Sequence, residues 1–206
     1  MKNHIYAFGS VCRGEVTLGS DVDLLACIEE GDDRFSNELY SIYTYDRIIQ
    51  LWEQGNPFAW HLALESRLIF SFDGNDYIKE IGMPKSYDLG KQDCEKFYAL
   101  FRDSYDALIN DSNSKVFNLS SIFLSIRNAA TCYSLSIGDP VFSRQSALMI
   151  DTPAPLSAAT YDLLEKSRIL ATRGIGNKVS QSELDHIIVE LATVFNWMEK
   201  IIGKVK

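Results

Sequence analysis

The stretch Phe8-Gly9-Ser10-Val11-Cys12-Arg13-Gly14-Glu15-Val16-Thr17-Leu18-Gly19-Ser20-Asp21-Val22-Asp23-Leu24-Leu25 decides how this chain is read. It joins a Gly-Ser turn, a basic residue and an Asp-x-Asp pair that runs into an apolar segment. Ahead of it, Ile5-Tyr6-Ala7-Phe8 is short, apolar and β-prone, and Gly9 stops it, so it reads as a strand feeding a turn. Residues 11–18 read as a short helix or irregular loop, broken at Gly19-Ser20. Residues 22–28 are the clearest strand in the chain, and alternation along it sets Asp21 and Asp23 on one face with Val22 and Leu24 on the other. Two acids on one face can hold a divalent ion, while a Gly-Ser turn offers backbone N–H groups to a phosphate. Taken alone, Asp21 also fits a simple turn residue. Asp23 does not, because an acid inside an apolar strand is costly without a partner or a metal.

The pattern Gly9-Ser10-x-x-Arg13-Gly14-Glu15-x-x-x-x-Ser20-Asp21-x-Asp23-Leu24 resembles the signature of the minimal nucleotidyltransferases, a branch of the DNA polymerase β superfamily. The resemblance implies Mg²⁺-dependent transfer of a nucleoside monophosphate from a nucleoside triphosphate, with ATP the expected one, to a hydroxyl of a small molecule or a protein. It implies that Gly9 and Ser10 hold the terminal phosphates, that Ser20 lies in the same nucleotide site, and that Asp21 and Asp23 bind the metal and carry the catalysis. Such chemistry rests mainly on positioning and charge neutralisation, which divalent ions between carboxylates and phosphates supply. Arg13 is read either as a cation beside the phosphates or as a surface partner of Glu15.

Active members of the superfamily usually add a third carboxylate from a neighbouring strand, as general base and second-metal ligand. The matching strand here is 39–45, where register points to Ser41 or its same-face neighbours Leu39 and Tyr43, none of them acidic. Glu38 and Asp46 lie at the ends of that strand and would serve only through a bulge or bend. Two further readings therefore stand beside the enzyme: a nucleotidyltransferase-like nucleotide sensor or regulator that has lost turnover, and an antitoxin-like module whose helices dock a second protein.

The segment from Gly55 to Glu65 looks like the helix that closes the small nucleotidyltransferase domain. His61 and Glu65 are i, i+4 on it, a spacing that suits a metal, a substrate, or a half-buried histidine bonded to a carboxylate. His4 and His186 have no comparable setting. Arg67 to Phe72 reads as a fourth strand, closed by Asp73-Gly74-Asn75.

From about Leu89 onward the apolar residues fall at helical spacing. Cys94, Phe97, Phe101, Tyr105 and Leu108 mark one stripe; Val116, Leu119, Phe123, Ile126, Ala130 and Tyr133 mark a second. A third helix follows Pro153-Ala154-Pro155, and a fourth opens with the capping box Ser180-x-x-Glu183. The expected fold class is α+β: a small mixed sheet with flanking helices over residues 1–85, then a helical bundle over 86–206 that binds substrate or partner, with the active cleft between them. The bundle resembles those that follow such domains in antibiotic nucleotidyltransferases and in a helical family often paired with them. In ribonuclease members of that helical family an Arg-polar-x-x-x-His motif acts; here Arg127-Asn128 is followed by Cys132 in the histidine's place, which argues against nuclease activity. Glu95, Asp103 and Asp106 would suit a cationic acceptor such as an aminoglycoside, or are solvated helix faces.

The chain has 206 residues, a formal charge of -8, 46% apolar and 23% charged residues, the composition of a globular protein. That acidic balance, without a Lys/Arg run, argues against duplex nucleic acid as partner. Cys12, Cys27, Cys94 and Cys132 form no C-x-x-C pair, and the start of the chain lacks a signal-peptide pattern, so reduced thiols and a cytoplasmic location are expected. No window reaches the roughly 18 consecutive apolar residues of a membrane span. Oligomeric state is left open, a homodimer included.

Overall fold

The computed structural model describes residues 2–16, 22–110 and 114–205. The chain divides into two compact units, Met1–Asp88 and Leu89–Lys206.

The first unit is built on a four-stranded mixed sheet of order β3-β2-β1-β4. Strand β1 (Asn3–Phe8) pairs antiparallel with β2 (Asp23–Ile28), from Asn3 opposite Ile28 to Phe8 opposite Asp23. β3 (Ser41–Thr44) runs parallel to β2, with Leu25 opposite Ser41, and β4 (Arg67–Ser71) runs antiparallel to β1, with Ala7 opposite Arg67. A register shift between Ile5 and Tyr6 gives the β1/β4 ladder a bulge. Antiparallel pairing on both sides of β1 brings its C-terminal end, the start of β2 and the start of β4 to one end of the sheet.

Period-two alternation sorts the core into two faces. Tyr6, Phe8, Leu25 and Cys27 pack against α1 (Tyr45–Glu53) and α2 (Pro57–Glu65) through Ile48, Leu51, Trp52, Ala59 and Leu62. Ile5, Ala26 and Ile28 face the other way, beneath Phe35, Tyr40 and Ile42. α1 starts one residue before Asp46: the Thr44 side chain caps it by accepting from Arg47 N, so the strand expected over 39–45 shortens to Ser41–Thr44. α2 has Pro57 at its first turn and Asn56 as its cap, the latter accepting from Phe58 N. A short α3 (Tyr77–Glu80), which periodicity does not announce, is capped by Asp76.

His4, given no particular setting by sequence, is 1% exposed. Its Nδ1 is 2.7 Å from Tyr45 Oη, and its Nε2 lies 3.3 Å from Asp73 Oδ1, within ion-pair range but off line for a hydrogen bond. The ring thus ties the start of β1 to α1 and to the turn after β4.

The second unit is helical: α4 (Gly90–Asn110), α5 (Lys115–Ser136), the short α6 (Ser146–Met149), α7 (Ala158–Arg173) and α8 (Gln181–Lys204). The expected second stripe understates α5, which buries residues on most of its faces, including Asn118, Ser120, Ser125, Ala129, Ala130 and Cys132. Ser125, Ser134 and Ser136 satisfy their hydroxyls on carbonyls of their own helix, as Ser125 does on Ser121 O and Ile122 O. The capping box of α8 is formed in both directions between Ser180 and Glu183. No helix among the described residues is long and apolar enough to cross a membrane.

Candidate nucleotide site

The chain leaves β1 at Phe8 and turns at once through a 3-10 turn, Gly9–Arg13, ended by Gly14. Gly9 has φ +77°, and a Cβ built there would run into the Asp23 carboxylate. Glycine is required twice over, for the left-handed backbone and for the approach of the turn to the acid. Gly14 has a similar φ of +76° with nothing near it, so only the backbone conformation asks for glycine there. Glu15 N donates to Ser10 O at 2.9 Å and closes the turn.

Ser10 is 3% exposed, and its Oγ has no hydrogen-bond partner among the described residues. An orphaned buried hydroxyl costs roughly 1–3 kcal/mol, so a native site that keeps one invites a ligand. Asp23 opens β2 directly opposite Phe8, on the same strand face as Leu25 and Cys27, and is half-buried. Ser20 and Asp21 lie outside the described residues, as does the pairing of Asp21 with Asp23 on one face. Among the described residues no group of three or more His, Cys, Asp or Glu is placed to share a metal.

The carboxylate sought on the strand beside β2 has no candidate in its ladder. Parallel register places Ser41, Ile42, Tyr43 and Thr44 against Leu25, Ala26, Cys27 and Ile28. Glu38 lies in the turn before β3 and Asp46 in the first turn of α1.

Arg13 settles among carboxylates. Its Nε donates to Glu15 Oε2 at 3.0 Å and its Nη1 to Glu65 Oε2 at 2.5 Å. The same Glu65 oxygen is 3.0 Å from His61 Nε2, which is 3.4 Å from Arg13 Nη1. Burial works against the Arg13 cation, but the Glu65 and Glu15 carboxylates outweigh it and raise its pKa beyond the ordinary arginine value. Burial likewise pushes Glu65 up, and the bonds from His61 and Arg13 overcome this and hold it below the usual 4.5. The i, i+4 pair of α2 is thus a hydrogen-bonded histidine and carboxylate with an arginine added, a link across 52 residues that spacing alone could not reveal. Cys12, between Ser10 and Arg13, has its thiol pKa raised, chiefly by burial.

In the helical unit Arg127 Nη2 donates to Phe142 O at 3.4 Å and its Nη1 meets Asn128 Oδ1 at 3.5 Å, so the arginine braces the segment after α5. Cys132 is buried. Glu95, Asp103 and Asp106 are exposed on α4, and Asp103 pairs with Arg102 at 3.2 Å. His186 is exposed and lies 3.3 Å from Glu190.

Residues 2–84 match the family model described as a nucleotidyltransferase domain. No curated protein matches the chain.

Proposed function

Since residues 2–84 match the nucleotidyltransferase domain family, we propose that the chain transfers a nucleoside monophosphate from a nucleoside triphosphate, ATP in the first instance, to a hydroxyl of a small molecule or protein, releasing pyrophosphate. The observation that carries this reading is Ser10 Oγ, buried and without a partner among the described residues in a turn whose Gly9 lies against Asp23. A triphosphate oxygen would satisfy that hydroxyl. Gly9 lets the backbone approach the acid closely enough for one ligand to touch both.

Asp23, with Asp21, would hold Mg²⁺; carboxylate oxygens are the hard donors that this ion takes. When bound, the ion supplies neutralisation of the charge that develops on the phosphates. Gly9 and Ser10 bind and orient the triphosphate, Ser20 belongs to the same site, and Arg13 assists from within the turn. The helical unit is proposed to receive the acceptor.

The β3 ladder favours one alternative, a nucleotide sensor without turnover, because no acid stands where a third carboxylate is sought. Both readings meet one experiment: pyrophosphate release and triphosphate binding with each of the four nucleoside triphosphates and Mg²⁺, with and without candidate acceptors, beside Asp21→Asn and Asp23→Asn. Release that needs Asp23 supports the transferase. Mg²⁺-dependent binding with no transfer to any acceptor selects the sensor, and absence of binding refutes both.

A further inference from the structure

We propose that Glu65 is a positioning residue, holding the phosphate-binding turn in place through Arg13, so that Arg13 serves as a strut of the turn rather than as a ligand of the phosphates. The inference rests on the reading in which Gly9 and Ser10 receive the triphosphate.

The two acids that grip Arg13 differ in kind. Glu15 is two residues away and closes on the same turn through its own N–H to Ser10 O, so it moves with the turn. Glu65 is the last residue of α2, a helix fixed to the sheet by buried Ala59 and Leu62 and by the Phe58 ring against Phe8 at 5.6 Å. Of these two carboxylate bonds to Arg13, the one from Glu65 ties the turn to a packed helix. His61, one helical turn earlier, bonds the same carboxylate oxygen and fixes the direction in which it points. The side chains of Arg13, His61 and Glu65 are 15%, 14% and 19% exposed, so solvent screens the contact less than it would a surface pair.

Charge counts against Arg13 as a phosphate ligand. Arg13 already meets two carboxylates, Glu65 and Glu15, so its charge is largely balanced within the protein. A triphosphate could recruit Arg13 only by breaking short, charge-assisted bonds to Glu65 and Glu15. As a strut, the arginine keeps both bonds, and the Ser10 hydroxyl and turn N–H groups stay presented without a search at the moment of binding.

The two roles give opposite signs for one substitution. Freeing Arg13 from Glu65 strengthens triphosphate binding, or leaves it unchanged, if Arg13 is a ligand; it weakens binding if Arg13 is a strut. The test measures dissociation constants of Mg·ATP, and of the other three nucleoside triphosphates, for the full chain and for Glu65→Ala, Glu65→Gln, Arg13→Ala and the Arg13→Ala/Glu65→Ala double variant, with melting curves for each. The expected result is a roughly ten-fold weaker dissociation constant for each alanine variant, about 1.4 kcal/mol, and a double variant no worse than the weaker single. Glu65→Gln, which keeps the acceptor oxygen, loses less than Glu65→Ala, and its weaker binding relative to wild type decides the case if Glu65→Ala does not fold. Binding unchanged or tighter in the Glu65 variants, or additive losses in the double variant, overturns the inference while the nucleotide site stands. A wild-type chain that binds no triphosphate overturns both.

Discussion

Gly9 and Asp23 touch across the sheet end in a way that leaves no room for a side chain on the glycine. Gly9→Ala therefore combines two costs. The left-handed backbone at φ +77° costs an L-residue roughly 1–2 kcal/mol, and the new methyl must displace the Asp23 carboxylate or the turn. Gly14→Ala, at φ +76° with open space around it, carries the first cost alone. Both variants should lower stability in urea, but only Gly9→Ala should also abolish triphosphate binding. Equal binding by the two would show that the Gly9–Asp23 approach is not part of the site.

Asp23→Asn keeps the shape of the side chain and removes its charge. If Asp23 holds the metal, several kcal/mol of charge stabilisation are lost, which corresponds to a drop of about a hundred-fold or more in pyrophosphate release. The melting temperature should stay near that of wild type, because the carboxylate is half-buried at the strand's start. Turnover within a few-fold of wild type would exclude Asp23 from the chemistry.

Residue order made the local features legible and hid those that depend on tertiary contact. β1, the turn and β2 could be read because alternation and a glycine stop are local signals, and so could the Ser180/Glu183 box of α8. The strand expected over 39–45 is shorter in the structure because Thr44 caps a helix that begins at Tyr45, and a cap threonine looks β-prone in sequence. α5 read as a one-sided stripe although it is buried on most faces, since serines that bond back to their own carbonyls look polar in sequence and behave as small core residues in place. The links of Arg13 to Glu65 and of His4 to Tyr45 and Asp73 join residues 41 to 69 positions apart. No periodicity encodes such pairs.

Tyr6 is 1% exposed, and its hydroxyl does two jobs: it donates to Asp76 Oδ1 at 3.1 Å and accepts from Ile78 N at 3.0 Å. It thereby fastens the first turn of α3 to the middle of β1. Tyr6→Phe keeps the ring in the core and strands the buried Ile78 N–H, at a cost of about 1–3 kcal/mol. Urea unfolding should show this loss, and accelerated amide exchange at Ile78 should accompany it. An unchanged midpoint would mean that α3 finds another partner for that group.

Glu65 gives the acid side of the stability curve a definite sign. Its pKa is lowered in the folded chain below the ordinary 4.5, because the bonds from His61 and Arg13 outweigh burial. A carboxyl depressed on folding binds fewer protons in the native state than in the unfolded one, so its contribution is complete above the unfolded value and fades as pH falls through the native value. Glu65→Gln removes the charge but keeps the size, so wild type should exceed it by roughly 1.5–3 kcal/mol near neutrality, the range for hydrogen bonds to charged groups. Below pH 4.5 the wild-type carboxyl takes up its proton, becomes nearly isosteric with the amide, and the two curves should converge. Urea denaturation of both chains between pH 7 and pH 3 measures the gap directly. A gap that stays constant over that range would show that the Glu65 charge does not hold Arg13, and would weaken the case for the strut from a direction independent of nucleotide.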